Sequence, residues 1–295
     1  MPVALGTATP ADAVERHATF GALSGRGRLV LLFVLAELVV LYAPTVSWLV
    51  DRWTLSVWHN AHGMMIPPAV AYFAYHELRR RPELPIAASA LGFLFLVPAV
   101  ALLVLDLGIH SQIMSAVSLV LALPGLSLLF LGTARTRAIA FPLAFSVFML
   151  PLPLAFTEPV HEVLQEMAAA ATVAVLPVLG VSVYAEGITL HLSKGILIVG
   201  EACSGFSTLY AAFAVAALTA YSCDNRRGQV LALASAAPLA IAANVARIVL
   251  LAVLFRWQGA PVLESWMHPA SGMLTFAISL PIIMWLGRPR GGRTS

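Results

Sequence analysis

"RRGQVLALASAAPLAIAANVARIVLLAVLFR", residues 226–256, is an apolar run closed by arginines at both ends. Crossing the bilayer core takes about 20 mostly apolar residues. The window 229–255 exceeds that length with one charge inside it, Arg247, so it reads as a transmembrane helix. Seven more windows of the same kind occur at 29–50, 61–77, 85–105, 112–132, 138–156, 203–221 and 269–287. The expected fold is therefore an all-α polytopic membrane protein, a bundle of about eight transmembrane helices. The window 61–77 is the weakest, because "AHGMMIPPAVAYFAYHEL" carries His62, His76 and two adjacent prolines.

Composition agrees. Of the 295 residues, 60% are hydrophobic and 11% charged, and the mean hydropathy is +0.90, whereas a soluble domain carries about 25% charged residues. The formal net charge is only +3, and the basic residues form short clusters between apolar runs rather than a continuous patch, which argues against a nucleic-acid partner. Residues 1–28 lack a compact apolar core with a small-residue cleavage site, so they read as a cytoplasmic tail and not as a signal peptide. The expected partition is that tail, one integral membrane domain over 29–287, and a cytoplasmic C-terminal tail over 288–295.

Arginine clusters mark cytoplasmic ends. With the N-terminus inside, thirteen basic residues fall on the inner side and three, Arg52, Lys194 and Arg256, on the outer side. Counting "HEVLQEMAAAATVAVLPVLG" (161–180) as a further span would reverse Arg226, Arg227 and Arg256. That stretch is therefore expected to lie along the outer interface or re-enter it, with Glu162 and Glu166 on a polar face. The following "VSVYAEGITLHLSKGILIV" is rich in β-branched residues and broken at Glu186-Gly187 and Lys194-Gly195, a hairpin-like signal for two or three short extracytoplasmic strands. Trp48, Trp53, Trp58, Trp257 and Trp266 fall at outer boundaries, as an aromatic belt would, and Trp285 near the inner one.

Three polar residues reach the outer leaflet in this topology. Cys203 opens the sixth span, where a helix N-terminus lowers a thiol pKa; a small buried hydrophobe is the plain alternative. Arg247 lies nine residues before Arg256, about 13 Å below the outer end, and a charge at such depth normally faces the bundle interior or else snorkels to the surface. His268 in "ESWMHPASG" stands at the mouth of the eighth span, ahead of a proline suited to a first helical turn. A thiol, an imidazole and a guanidinium are the parts of an acyl-transfer site. Asn244, three residues before Arg247, could hold the guanidinium or a substrate carbonyl, and Glu201 could pair with Arg247 or His268 or face water. Cys223 lies about 30 Å along the same helix as Cys203 and receives no role, and Glu37 is left either as an interior hydrogen bond or as part of a separate path. His59, His62, His110 and His191 show no metal-ligand spacing, and "HEVLQE" at His161 lacks the second histidine of a zinc protease motif. No metal or other cofactor is expected.

The chain resembles the exosortase/archaeosortase family of membrane cysteine transpeptidase-like enzymes, through "EACSG" with Cys203, "NVAR" with Arg247 and His268 ahead of a last span, in that order, and through the Phe/Pro-rich "FPLAFSVFMLPLP" (141–153). The resemblance covers roughly residues 138–287. It implies a thiol protease or transpeptidase of a bacterial inner membrane, its active site facing outward. The substrates would be exported proteins with a C-terminal signal: a short motif such as Pro-Glu-Pro, a transmembrane helix and a basic cluster. Processing of this kind is associated with exopolysaccharide production. Carried over by position, Cys203 would form the thioester, His268 would move protons and Arg247 would stabilise the oxyanion; a separate accessory protein could take part. Two rivals remain: a serine-type intramembrane protease using Ser204, though no Gly-x-Ser-x-Gly elbow is present, and a transporter or channel with Glu37, Asn244 and Arg247 lining a pathway.

Overall fold

The structure is a computed structural model and describes residues 25–54, 60–200, 203–259, 261–264 and 267–287. Among them, five helices are long and apolar enough to cross a bilayer: Ala90–Ile109, Ile113–Phe130, Ala155–Leu179, Arg226–Gln258 and Ala270–Gly287. The protein is a mostly helical, multi-pass membrane protein with one small antiparallel sheet. The described residues fall into two compact units, one from residues up to Leu49 with Ala71–Ala144, the other from Val50–Val70 with Phe145 onward.

The first unit is built on α1 (Gly25–Thr54), α2 (Ile66–Arg80), α3 (Phe93–Ile109), α4 (Ile113–Phe130) and α5 (Gly132–Ala138). Lipid-depth helices gain little from apolar burial against one another and rely on close contact and hydrogen bonds instead. Gly92 and Gly125 supply the contact: a Cβ on Gly92 would lie 2.6 Å from the Gly125 carbonyl oxygen. Ser118 supplies the bonds, donating to Ala99 O at 2.6 Å and pairing with Tyr42 Oη at 2.7 Å. The α3–α4 turn is held by buried Asp106, whose carboxylate accepts from Ser115 Oγ and, at 2.9 Å, from the backbone N–H of Gln112. Glu37 stands exposed on α1, not in a packed interior.

Where the chain passes from the first unit to the second, α6 (Ala140–Phe145) continues as a 3-10 turn, Ser146–Met149, and stops. The expected span at 138–156 is thus a ten-residue helix, too short to cross. Leu150 is extended, at φ −75° and ψ 128°, because Pro151 disfavours a helical residue before it. Pro153 then serves as N-cap to α7 (Leu154–Val175), which ends in a 3-10 turn and Gly180 at φ +72°. The stretch expected along the interface is therefore part of a helix long enough to span, Ala155–Leu179, with Glu162 and Glu166 exposed on it. Trp53 is likewise corrected: rather than anchoring a belt, its buried indole donates to Met149 O at 3.0 Å.

The hairpin expectation holds. Strands β1 (Val183–Glu186), β2 (Thr189–Leu192) and β3 (Gly195–Ile198) pair in sequence order, with Val183 opposite Leu192 and Leu190 opposite Leu197. The turn glycines Gly187 and Gly195 have positive φ. Alternation sends Leu190, Leu192 and Leu197 into a core with Ala168 and Ala169 of α7 and with Ile248, Ala252 and Phe255. Those last three belong to α9 (Arg226–Gln258), started by the Asn225 side chain accepting from Gly228 N at 2.6 Å. Arg256 donates to Gly180 O, so the C-terminal ends of α7 and α9 meet beside the sheet. Ala212 and Ala216 of α8 (Phe206–Tyr221) lie against Ala236 and Ala240 of α9 and Ile283 of α11 (Met267–Gly287), reached through the short α10 (Pro261–Glu264).

Replacing Asp106 with alanine would strand two donors at the α3–α4 turn, each costing about 1–3 kcal/mol. The Asp106→Ala variant is expected to show a clearly lower thermal midpoint in detergent than wild type, with Asp106→Asn between them.

Candidate active site

Cys203 does not open a helix. It lies in a short 3-10 turn, its N–H donating to Gly200 O at 2.8 Å, and α8 begins only at Phe206, giving 16 residues where a full span was expected. The cause is Gly205, whose φ of +83° ends any helical path upstream. The thiol is buried, 9% exposed, in the apolar core formed by the sheet, α7 and α9. Burial pushes its pKa up, and the Arg247 guanidinium draws it partly back down. Cys203 thus stands two residues ahead of the α8 N-cap, where burial opposes the thiolate and the Arg247 charge favours it.

Arg247 is itself buried at 5% exposure, so it does not snorkel. Its guanidinium lies against Gly272 of α11, where a Cβ would come within 3.2 Å of Cζ; the glycine makes the room that the cation occupies. Position 268 is one helical turn before Gly272, about 6 Å along the same axis. The side chain of His268 and the whole of Glu201 lie outside the described residues. Asn244 donates from Nδ2 to Cys203 O at 2.9 Å, while its buried Oδ1 has no hydrogen-bond partner among the described residues. It also presses on the turn, since a Cβ on Gly205 would sit 2.6–2.8 Å from Asn244 side-chain atoms.

Ser204 and His161 form a pair that the sequence reading missed. Ser204 Oγ lies 2.8 Å from His161 Nδ1 and accepts from Phe206 N at 3.2 Å, and the imidazole packs on the Phe206 ring with centroids 4.6 Å apart. The available signal was periodicity: His161, Leu164, Gln165 and Ala168 are the buried stripe of α7 at the spacing of one helix face, which puts the histidine inside.

The space beneath the turn, between Ser204, Gly205, Asn244 and Ala240, is only about 10 Å³, at most the room for one water. An open apolar groove of about 560 Å³ runs along α7 and α9 past Val175, Ala242, Val245, Ala246, Val249 and Val253. Its three α9 valines also pack against the core that contains Cys203. The site can thus offer a shielded thiol, a cation beside it and an apolar flank.

Arg247→Gln removes the positive charge that lowers the Cys203 pKa, so less thiolate is present at any given pH. In a Cys223→Ala background, alkylation of Cys203 by iodoacetamide, followed by mass spectrometry, should be several-fold slower at neutral pH, with its pH–rate profile moved to higher pH.

Comparison with known proteins supplies a family. Residues 48–285, about four-fifths of the chain, match the family described as transmembrane exosortase (Exosortase EpsH). No curated protein and no solved structure matches. Because the match runs unbroken from the end of α1 through the cysteine turn and α9 into the last helix, the chain belongs to the transmembrane exosortase EpsH family.

Proposed function

We propose that this exosortase uses Cys203 as the nucleophile that processes C-terminal sorting signals of exported proteins. The observation that carries the proposal is geometric: Cys203 and Arg247 are both buried, and Asn244, three residues from Arg247 on α9, donates to the Cys203 carbonyl at 2.9 Å. A cation held at 5% exposure keeps its full strength in the low dielectric of such a place. Because burial keeps Cys203 protonated at rest, a base must take the thiol proton as sulfur attacks the scissile carbonyl, and His268 is assigned that step. The C–S bond forms, the carbonyl electrons move onto oxygen beside Arg247, and the C–N bond then breaks with the proton passing to the leaving amine. Water or an acceptor amine resolves the thioester. Asn244, bound to the carbonyl of Cys203, acts on the turn rather than on substrate.

The substrate class follows from the family resemblance: an exported chain ending in a short motif such as Pro-Glu-Pro, a transmembrane helix and a basic cluster, acted on in a bacterial inner membrane, with or without a separate accessory protein. An apolar groove flanking the thiol suits a substrate that arrives within lipid. Exchanging the window 138–156 for Ala155–Leu179 keeps the number of crossings, so the arginine asymmetry still favours cytoplasmic termini and an outward-facing site.

One observation favours a second reading, a serine nucleophile: Ser204 has a histidine nitrogen 2.8 Å from its oxygen. Against it, the same oxygen is engaged with Phe206 N–H and is buried at 2% exposure. Co-expression with a signal-bearing reporter separates the two. Cys203→Ala should abolish processing and Ser204→Ala should retain a measurable fraction, with an acyl adduct on Cys203 detectable by mass spectrometry. Continued processing in Cys203→Ala would overturn the assignment.

A further inference from the structure

We infer that His161 is a positioning residue for Cys203, acting through the Ser204 hydroxyl; this rests on the reading of Cys203 as nucleophile. The argument starts from α7, where an imidazole on the buried stripe is costly unless hydrogen-bonded. Its Nδ1 meets Ser204 Oγ at 2.8 Å, 43 residues along the chain. That oxygen already accepts from Phe206 N–H, one of the donors left over at the start of α8. A serine hydroxyl has one hydrogen and two lone pairs, so with one lone pair given to Phe206 it still pairs with Nδ1 in either imidazole tautomer.

One hydroxyl thus ties three things together: the start of α8, the residue next to Cys203, and α7. On the other side of the same turn, Asn244 of α9 holds the Cys203 carbonyl at 2.9 Å and fills the space beside Gly205. The turn is clamped between α7 and α9. It needs the clamp, because Gly205 is the one residue in it whose backbone moves readily through positive φ. With the α7 side released, Ser204 and Gly205 are left to rotate, and the sulfur shifts relative to the Arg247 guanidinium. A displacement of about 1 Å at a reacting atom can cost about 100-fold in rate. The stacking on Phe206 is separable from the hydrogen bond, since phenylalanine keeps the ring and loses the nitrogen.

The experiment uses the full chain in a Cys223→Ala background, reconstituted in liposomes, with a reporter ending in a Pro-Glu-Pro motif, a transmembrane helix and a basic cluster. His161→Phe should lower kcat by about tenfold or more with KM changed less than about twofold. His161→Asn, whose amide reaches the place of Nδ1, should restore most of it. Ser204→Ala should repeat the loss, and the double variant His161→Phe/Ser204→Ala should be no worse than the poorer single one, as for two parts of one contact. A His161→Phe enzyme within twofold of wild type, equal losses in the Phe and Asn variants, or losses that multiply would each overturn the inference. Iodoacetamide labelling of Cys203 gives a readout that needs no substrate: it should quicken several-fold in His161→Phe and Ser204→Ala and stay near wild type in His161→Asn. Absence of processing by wild type would fail the functional reading, while unchanged labelling in both variants would fail this one.

Discussion

The hydrogen bond from Asn244 to the carbonyl of Cys203 is the contact on which the site depends. A turn containing a positive-φ glycine has little shape of its own, and buried as it is its backbone must be satisfied by protein groups. Asn244 solves both problems, pairing one carbonyl and fitting against Gly205 so closely that no side chain could stand there. Because Asn244 and Arg247 share one face of α9, the helix that holds the Cys203 carbonyl also carries the cation.

The electrostatics of that pair are a balance of opposed terms. Burial raises the thiol pKa and Arg247 lowers it, with burial the larger. A resting thiol that is mostly protonated is protected from oxidants and adventitious electrophiles. The arginine's charge is then worth most when negative charge develops on sulfur or on a substrate oxygen, in surroundings that exclude water. Gly272 is part of this arrangement, because the guanidinium occupies the volume that a side chain would take.

The helices around the site pack by smallness. Ala212, Ala216, Ala236 and Ala240 are all nearly inaccessible, and close backbone approach is what holds helices together in lipid. The small sheet works differently: its inner leucines and Val199 lie on α7 and α9, making an apolar lid of strands over the end where Arg256 ties the two helices at Gly180. Cys203 leaves this lid directly after β3, which places the nucleophile candidate at the junction of sheet and bundle.

Much of this was legible from residue order. Windows of apolar composition located α4, α9 and α11 to within a few residues and α3 with an offset of four to eight, and Gly187 and Gly195 marked the strand turns because only glycine enters those φ values without strain. A lone arginine in an apolar run announced a buried charge before any fold was known. The residues that misled did so for a physical reason: Pro151 and Pro153 moved a helix boundary, so the helix long enough to cross lies over Ala155–Leu179 and not 138–156, a shift to which a hydropathy average is blind. What tertiary structure decided was pairing. Composition in a local window determines what can live in lipid, since transfer free energy is a sum over neighbouring residues. Which buried nitrogen meets Ser204 or which amide meets Cys203 depends on groups 43 and 41 residues away, and only the packing of α7 and α9 brings those atoms within hydrogen-bond reach.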